Sequence, residues 1–350
     1  PNPDDLLRRA ADSGDVPGVI ACATDRAGTT YEAAFGKRVL GQPADMTPDS
    51  VILVASMTKA ITAAAAMQQV ERGALSLDAP AKSVIPYLGE VGVLEGFDAD
   101  GTPKTRPPTR DLTLRQLLTH TAGFSYEIWS ADIARYTEVM GLPPITSCQN
   151  AALTAPLLFD PGERWEYGIG IDWAGKMVEA VSGQTLGAYL LDNVLGPLGM
   201  DDTAFLITPA MRARLATVHH RGADGSLTPD PDFGLPQPPE FEAGGHALYG
   251  TVPDYLKFVR MMLNDGRSDR GEAILKPETV AQMSTNHMGT STVTPLTTVR
   301  PELSNDVDLF PGIEKQWGLS FMINNAEAPT GRSAGSLAWA GLANSYYWID

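Results

Sequence analysis

Cysteine is scarce in this sequence of 350 residues, which contains only Cys22 and Cys148. Two distant cysteines outside any Cys-x-x-Cys pair do not form a disulfide framework, so we expect both to be buried, small apolar side chains. The sequence also has no run of about 18 apolar residues, which excludes a typical membrane-spanning helix. Its five histidines show no metal-binding spacing, and we expect neither a metal site nor a cofactor.

Positive charge is scarce as well. The chain has 26 lysines and arginines against 42 aspartates and glutamates, which gives a formal net charge of −16. Such a chain lacks the basic surface that binds nucleic acid, and its field repels anionic membranes, so neither is an expected partner. The first five residues, Pro-Asn-Pro-Asp-Asp, form neither a basic nor an apolar segment. We therefore expect no secretory signal and a cytoplasmic location.

Hydrophobic periodicity predicts strands near both ends of the chain and helices in its middle. The expected fold class is therefore α/β (α+β), with one lobe built from residues 1–55 and 250–350 and a mainly helical lobe with long loops over 56–249. The predicted strands are 18–24, 29–35, 316–323, 336–341 and 346–349. The predicted helices are 4–13, 55–73, 114–119 (with a capping box), 170–182, 186–194, 254–264 and 276–285. Loops rich in proline and glycine are predicted at 89–108 and 229–245.

The first chemical signal is Ser56-x-x-Lys59, at the beginning of the most apolar predicted helix. The N–H groups of a first helical turn, together with the helix dipole, stabilise negative charge that develops beside a serine oxygen. Lys59 follows three residues later on the same helix face. It can accept a proton near neutral pH only where burial or another cation disfavours its charged form. Taken alone, the pattern fits a capping serine and a solvent-exposed lysine equally well.

Further segments extend this interpretation in order along the chain. They are 73–80 (GALSLDAP), 117–124 (LLTHTAGF), 159–168 (FDPGERWEYG), 244–254 (GGHALYGTVPD) and 316–319 (QWGL). With Ser56-x-x-Lys59, they resemble the penicillin-recognising serine hydrolases, which include class C β-lactamases, DD-peptidases and family VIII carboxylesterases. The resemblance covers roughly residues 17–350. It implies a class C β-lactamase-like fold, in which helices flank an antiparallel sheet and the active site lies between this sheet and an inserted helical lobe.

The resemblance also implies catalytic roles. Tyr167 would be the second catalytic residue, a phenol that lies between serine and lysine and relays the proton; without the resemblance it is an ordinary half-buried tyrosine. The backbone N–H groups of Ser56 and Leu342 would form the oxyanion hole. Which of Lys59 and Tyr167 is the formal base stays open, because the two would titrate as a coupled pair.

Two positions differ from the members of this family that hydrolyse β-lactams. Their Tyr-x-Asn is Tyr167-x-Ile169 here, so an apolar side chain replaces the amide that holds the substrate. Their Lys-Thr-Gly is Trp339-x-Gly341 here, which removes a cation that binds the β-lactam carboxylate. Trp-x-Gly resembles family VIII carboxylesterases, and Gly341 would let substrate approach the strand closely. Both changes favour neutral esters over penicillins.

Other candidates have ordinary alternatives. His120 could serve as a general base, but a structural histidine that caps a turn is the preferred interpretation. A substrate pocket is assigned to Phe124, Tyr126, Trp129 and Trp339, with core packing as the alternative. Residues 123–125 (Gly-Phe-Ser) lack the second glycine of a Gly-x-Ser-x-Gly elbow, which disfavours an α/β-hydrolase triad.

The sequence therefore predicts a carboxylesterase of the bacterial family VIII type that hydrolyses short- to medium-chain neutral esters through an acyl-Ser56 intermediate. The expected partner is a small-molecule ester, and the oligomeric state is left open. The alternatives are a β-lactamase, a D-amino peptidase or a transacylase on the same scaffold, or a non-catalytic binding protein. The resembling fold closes with a C-terminal helix after further strands. Because the sequence reaches Asp350 one strand after Trp339-x-Gly341, we expect no closing helix within it.

Overall fold

The computed structural model describes residues 2–350 and is built from both helices and strands. The helices are α1 (Pro3–Asp12), α2 (Thr58–Glu71), α3 (Leu114–Leu118), α4 (Ala131–Met140), α5 (Gly170–Ser182), α6 (Leu186–Leu190), α7 (Gly196–Leu198), α8 (Pro209–Arg212), α9 (Val252–Leu263) and α10 (Pro277–Met283). The strands are β1 (Gly18–Thr24), β2 (Thr29–Gly36), β3 (Ile52–Leu53), β4 (Val93–Phe97), β5 (Pro103–Arg106), β6 (Val218–Arg221), β7 (Leu227–Asp230), β8 (Tyr249–Gly250), β9 (Lys315–Trp317), β10 (Met322–Asn324), β11 (Leu337–Gly341) and β12 (Ser345–Ile349). None of these helices is long and apolar enough to cross a membrane.

Most of the predicted elements form close to their expected bounds. Helix α5 and strand β1 coincide with the predicted 170–182 and 18–24. Helix α3 begins with the predicted capping box, in which the Thr113 hydroxyl accepts from the Gln116 N–H and the Gln116 side chain accepts from the Thr113 N–H at 3.0 Å. Two reciprocal bonds satisfy N–H groups that a helix end leaves without partners, which is why this short helix begins where it does.

Several predictions on local structure were wrong. The predicted strand 316–323 is two strands, β9 and β10, because the chain turns at Ser320, where φ is +79°. The predicted loop 89–108 contains the β4–β5 hairpin, and the β6–β7 hairpin was missed because its polar sequence lacks the alternation of a half-buried strand. Cys148 is buried as expected, but Cys22 is only half-buried, since β1 packs with partial exposure along most of its length.

The strands form one four-stranded antiparallel sheet, in the order β12-β11-β10-β9, and four two-stranded pairs. Within residues 2–350, β1 and β2 pair only with each other and do not join the four-stranded sheet. Helix α9 instead packs against both β1 and β12. A shared helix, not a ladder of hydrogen bonds, therefore connects the N-terminal hairpin with the C-terminal sheet.

Helix α2 lies in the middle of the hydrophobic core and packs against α5. Its residues from Thr58 to Gln69 are all buried, so it has no solvent-facing side. Four consecutive alanines, residues 63–66, are 0% exposed and allow neighbouring elements to approach closely. The polar side chains of this buried helix must find protein partners, since an unpaired buried polar group is costly. Those partners define the candidate site.

Candidate active site

Ser56 lies in a short 3-10 turn directly before α2 and is partly exposed. The preceding residue, Ala55, has a φ of +50°, a left-handed conformation that costs an L-residue about 1 to 2 kcal/mol. Contacts from elsewhere in the chain hold this turn in place. The Tyr255 hydroxyl, for example, donates a 2.9 Å hydrogen bond to the carbonyl of Met57. Ser56 therefore lies at a sharp bend directly before the buried helix α2.

Lys59 is 0% exposed, and its ammonium makes three hydrogen bonds. It donates to the Ser56 hydroxyl at 3.2 Å, to the Tyr126 hydroxyl at 3.0 Å and to the carbonyl of Gly245 at 2.7 Å. An ammonium has three donors, so all of them are used. The structure thus brings the predicted pair Ser56 and Lys59 together and excludes a solvent-exposed lysine at this position.

Two phenol rings lie close to the ammonium. The Lys59 nitrogen lies 4.7 Å from the ring centre of Tyr167 and 5.2 Å from that of Tyr126, within the range of cation–π attraction. The Tyr167 hydroxyl accepts a 3.0 Å hydrogen bond from the indole N–H of Trp339. Tyr126 therefore contacts the ammonium through its hydroxyl, whereas Tyr167 contacts it through the ring face. The catalytic role of Tyr167 stays a prediction.

The charge state of Tyr126 follows from its surroundings. Burial raises the pKa of this phenol well above its ordinary value, and the negative charge of Asp172 raises it further. Tyr126 is therefore a neutral phenol in the resting site. It accepts a hydrogen bond from Lys59 and keeps its own proton for another acceptor.

The two tyrosines meet because residue 168 is glycine. A Cβ atom on Gly168 would overlap the carbonyl oxygen of Phe124, so any other residue would separate the two segments that carry Tyr126 and Tyr167. The rings of the two tyrosines lie 5.3 Å apart between centres. Packing therefore requires a glycine directly after Tyr167.

His120 supports the Tyr167 segment. Its Nδ1 accepts a 3.4 Å hydrogen bond from the Gly168 N–H, and its ring lies 4.8 Å from Tyr167 and 5.1 Å from Trp317 between centres. Burial lowers the pKa of the His120 imidazole well below its ordinary value, and the positive charge of Lys59 acts in the same direction. A neutral histidine that holds a backbone turn agrees with the structural role preferred from the sequence.

The end of strand β11 lies against the turn that carries Ser56. A Cβ atom on Gly341 would lie 2.6 Å from the carbonyl oxygen of Val54, and the Ser345 hydroxyl donates to the same oxygen at 3.1 Å. Leu342 follows directly, so the two predicted oxyanion donors belong to adjoining segments. Their role in holding an oxyanion stays a prediction.

Two of the predicted substrate-binding residues lie in the hydrophobic core. Ile169 and Phe124 are each 2% exposed and pack with the other buried apolar side chains. Ile169 also precedes the first turn of α5, where it makes the transition into the helix. Their contact with substrate, like that of Gly341, stays a prediction.

Sequence reasoning assigned Tyr126 only to a pocket and did not single out Asp172 or Gly245. The Asp172 carboxylate, in the first turn of α5, is fully buried and accepts a 2.8 Å hydrogen bond from the Gly245 N–H. An acidic residue near a helix start is usually a surface group that interacts with the helix dipole, so nothing in the sequence signalled its burial. The glycine pair 244–245 was the available signal, because adjacent glycines mark close backbone approach. Within residues 2–350, no cluster of three or more His, Cys, Asp or Glu side chains is placed to hold a metal ion.

Known proteins of similar sequence support this resemblance. The family model described as Beta-lactamase matches residues 3–350. The chain belongs to the beta-lactamase family. Lovastatin esterase from Penicillium rubens is 33% identical over 99% of this chain and 89% of its own length. Monacolin J acid methylbutanoyltransferase from Aspergillus terreus is 34% identical over 79% of this chain and 68% of its own length.

Solved structures are also similar to this chain of the beta-lactamase family. A variant of simvastatin synthase (LovD) from Aspergillus terreus has a TM-score of 0.85 and 30% identity, covering 99% of this chain and 87% of the other. EstCE1, described as a hydrolase with promiscuous acyltransferase activity, has a TM-score of 0.77 at 24% identity over 99% and 89% of the two chains, and supports the fold alone. The predicted β-lactamase-like fold is confirmed, and the chain is a serine hydrolase or acyltransferase of that family. The bacterial family VIII type is not confirmed, since the sequence relatives named above are fungal.

Proposed function

We propose that this protein is a carboxylesterase that forms an acyl-enzyme on Ser56, with Lys59 and two tyrosines handling the proton. The observation that supports it is the 3.2 Å contact between the Ser56 hydroxyl and the Lys59 nitrogen, made by a lysine that is 0% exposed. A serine nucleophile beside a buried lysine is an arrangement used in covalent acyl transfer. Tyr167 completes it as a phenol that can receive or return the proton, and Tyr126 is a neutral phenol that can relay a proton only by giving up its own.

The reaction follows from these positions. The Ser56 oxygen attacks the ester carbonyl carbon while its proton passes to the lysine–tyrosine group, and the N–H groups of Ser56 and Leu342 hold the resulting oxyanion. Collapse breaks the bond to the alcohol oxygen, which takes the proton and leaves as the free alcohol. Water then attacks the acyl-Ser56 carbonyl and gives up a proton to the same group. Collapse of this second tetrahedral intermediate breaks the bond between the acyl carbon and the Ser56 oxygen. The carboxylic acid leaves, and the proton returns to Ser56.

The substrate proposed is a neutral, short- to medium-chain ester. Trp339 and Ile169 stand where β-lactam-hydrolysing relatives carry a cation and an amide, so the charged and amide groups of a penicillin lose their partners. The net charge of −16 adds a weak preference for neutral or cationic molecules. The name of the lovastatin esterase supports an ester as the substrate.

Acyl transfer to an alcohol is the second candidate. It is favoured by the 34% identity to an enzyme named monacolin J acid methylbutanoyltransferase and by the likeness to simvastatin synthase. Transfer and hydrolysis share the acyl-Ser56 intermediate and differ only in whether an alcohol or water attacks it. Hydrolysis in the presence of a secondary alcohol, followed by product analysis, measures which acceptor wins.

Hydrolysis of p-nitrophenyl butyrate by the wild type and by Ser56→Ala tests the main proposal. We expect the variant to lose at least a thousandfold in kcat/KM and the wild type to show a butyryl group on the Ser56 peptide by mass spectrometry. Ser76→Ala, at an exposed serine, is the matched control and should keep the full rate.

Other outcomes would select the alternatives. A Ser56→Ala variant with the wild-type rate would refute the assignment. Turnover of the β-lactam nitrocefin with higher efficiency than any ester would support a β-lactamase instead. Failure of a fluorophosphonate probe to label Ser56 would indicate a non-catalytic binding protein.

A further inference from the structure

Residues 244–245 are held against α2 by its polar side chains. The Thr62 hydroxyl donates to the Gly244 carbonyl at 2.8 Å, and the Lys59 ammonium donates to the Gly245 carbonyl at 2.7 Å. All of these groups are buried, so the bonds are not exposed to competition from water. The Gly245 carbonyl therefore helps to hold the Lys59 nitrogen in place, together with the hydroxyls of Ser56 and Tyr126.

Gly245 is held from the opposite side by Asp172. The Asp172 Oδ1 accepts a 2.8 Å hydrogen bond from the Gly245 N–H, while its Oδ2 has no hydrogen-bond partner in the part of the chain described. The carboxylate is 0% exposed, and a Cβ atom on residue 245 would overlap it. Such a carboxylate is costly to bury unless a nearby positive charge compensates it.

Six other titratable groups lie around this position. They are Tyr126, Tyr167, His120, His246, Cys148 and Glu127. Burial lowers the pKa of His246, whose Nδ1 lies 3.7 Å from Asp172, and raises the pKa of Cys148 to about 12, so both are neutral. Glu127 accepts a 2.8 Å hydrogen bond from the Ile145 N–H, and its charge adds to that of Asp172 in raising the pKa of Tyr126. Lys59 is the cation and Asp172 the carboxylate at the two ends of Gly245.

We infer that Asp172 is a positioning residue and the buried counter-charge of Lys59, acting through Gly245. Its hydrogen bond fixes the carbonyl that holds the ammonium, and its buried negative charge compensates the positive charge of that ammonium. The inference rests on the proposed function, because it concerns the same proton transfer. It adds a residue that lies behind the lysine and touches neither Ser56 nor the substrate.

The test separates the charge of Asp172 from its hydrogen bond. Asp172→Asn and Asp172→Ser remove the charge and keep an oxygen that can accept from Gly245, whereas Asp172→Ala removes both. The readout is the second-order rate of Ser56 labelling by a fluorophosphonate as a function of pH, which does not depend on the choice of ester. Thermal unfolding of each variant is measured in parallel, and either neutral variant that folds decides the question.

Loss of a nearby anion disfavours the ammonium, so the amine becomes available at lower pH. We expect the acidic limb of the profile to move to lower pH in Asp172→Asn and Asp172→Ser. In Asp172→Ala, the maximal rate should in addition fall at least tenfold, because Lys59 is no longer held in place. Asp254→Asn is the matched control: Asp254 is also buried and accepts a backbone N–H at 2.8 Å, from Asp202. It should leave the profile unchanged.

Each result has one meaning. Neutral variants whose profiles superimpose on that of the wild type would overturn the role of Asp172. A wild type that is labelled normally but hydrolyses no ester would refute the proposed function and leave the inference standing. A wild type that is not labelled at any pH would overturn both.

Discussion

The ammonium of Lys59 donates a 3.0 Å hydrogen bond to the hydroxyl of Tyr126, a residue 67 positions further along the chain. This bond makes Tyr126 the phenol that contacts the lysine directly, while Tyr167 presents its ring face and binds Trp339 through its hydroxyl. The site thus has two phenols in different positions. One contacts Lys59 through its hydroxyl, and the other accepts a hydrogen bond from an indole.

Replacing Tyr126 by phenylalanine should therefore impair catalysis. The variant loses the partner of the Lys59 ammonium, and we expect kcat to fall about a hundredfold with a smaller change in KM, in line with the usual contribution of a proton-transfer group. Ester hydrolysis by purified Y126F measures it. Tyr189→Phe is the control, because Tyr189 is equally buried and its hydroxyl bonds to Gln68 at 2.9 Å. That variant should lose about 1 kcal/mol of stability and no activity. Equal rates for the two variants would exclude a role of Tyr126 in proton transfer.

Trp339→Phe tests the orientation of Tyr167. The variant keeps an aromatic ring against Tyr167 but removes the indole N–H that donates to its hydroxyl at 3.0 Å. With the phenol free to rotate, kcat should fall about tenfold, since orientation of the reacting groups is lost. Trp173→Phe removes a buried indole N–H that has no hydrogen-bond partner within residues 2–350 and should leave kcat unchanged. If W339F retains the wild-type kcat, the indole does not orient the phenol.

The sequence predicted much of the fold because local signals sufficed. The capping box of Thr113 and Gln116 located one helix, and apolar periodicity located α5 and β1. The β6–β7 hairpin could not be predicted, because its stability comes from pairing and not from an alternating apolar pattern. The joining of β1 and β12 through α9 could not be predicted either, since it depends on packing between distant parts of the chain.

For the candidate site, spacing sufficed only for Ser56 and Lys59, which share one helical turn. Tyr167 was found by resemblance to a family and not by any local pattern. Tyr126 was placed in a pocket because its bond to Lys59 depends on how two loops meet at Gly168. Asp172 was missed because an acidic residue in a first helical turn is usually exposed. Contacts between distant segments are the part of a site that sequence patterns do not contain.

His120 gives a prediction on stability against pH. Its pKa in the folded protein is well below the ordinary value of an imidazole, so between the two values only the unfolded chain binds the proton. Stability is then present above about pH 6.5 and is lost as the pH falls below it, by up to about 1.4 kcal/mol per pH unit. Urea unfolding at several pH values gives the slope of the free energy of unfolding against pH. Between about pH 6.5 and pH 5.5, this slope should be shallower in His120→Gln than in the wild type. Equal slopes in His120→Gln and the wild type would contradict a buried neutral His120.

Gly341→Ala tests whether the end of β11 must approach the turn that carries Ser56. A Cβ atom there would lie 2.6 Å from the Val54 carbonyl oxygen, so the strand end has to move away from that turn. We expect a loss of about 1 to 3 kcal/mol in the free energy of unfolding, as for other overpacked sites. A fall of about a hundredfold in kcat should accompany it, since a displacement of about 1 Å between reacting groups can cost that much. Both are measured on one preparation, by urea unfolding and by ester hydrolysis.

In Gly28→Ala the added methyl group meets no atom within 4 Å, so both quantities should stay at wild-type values. A G341A variant that loses stability but keeps the wild-type kcat would show that the strand end contributes to folding and not to catalysis.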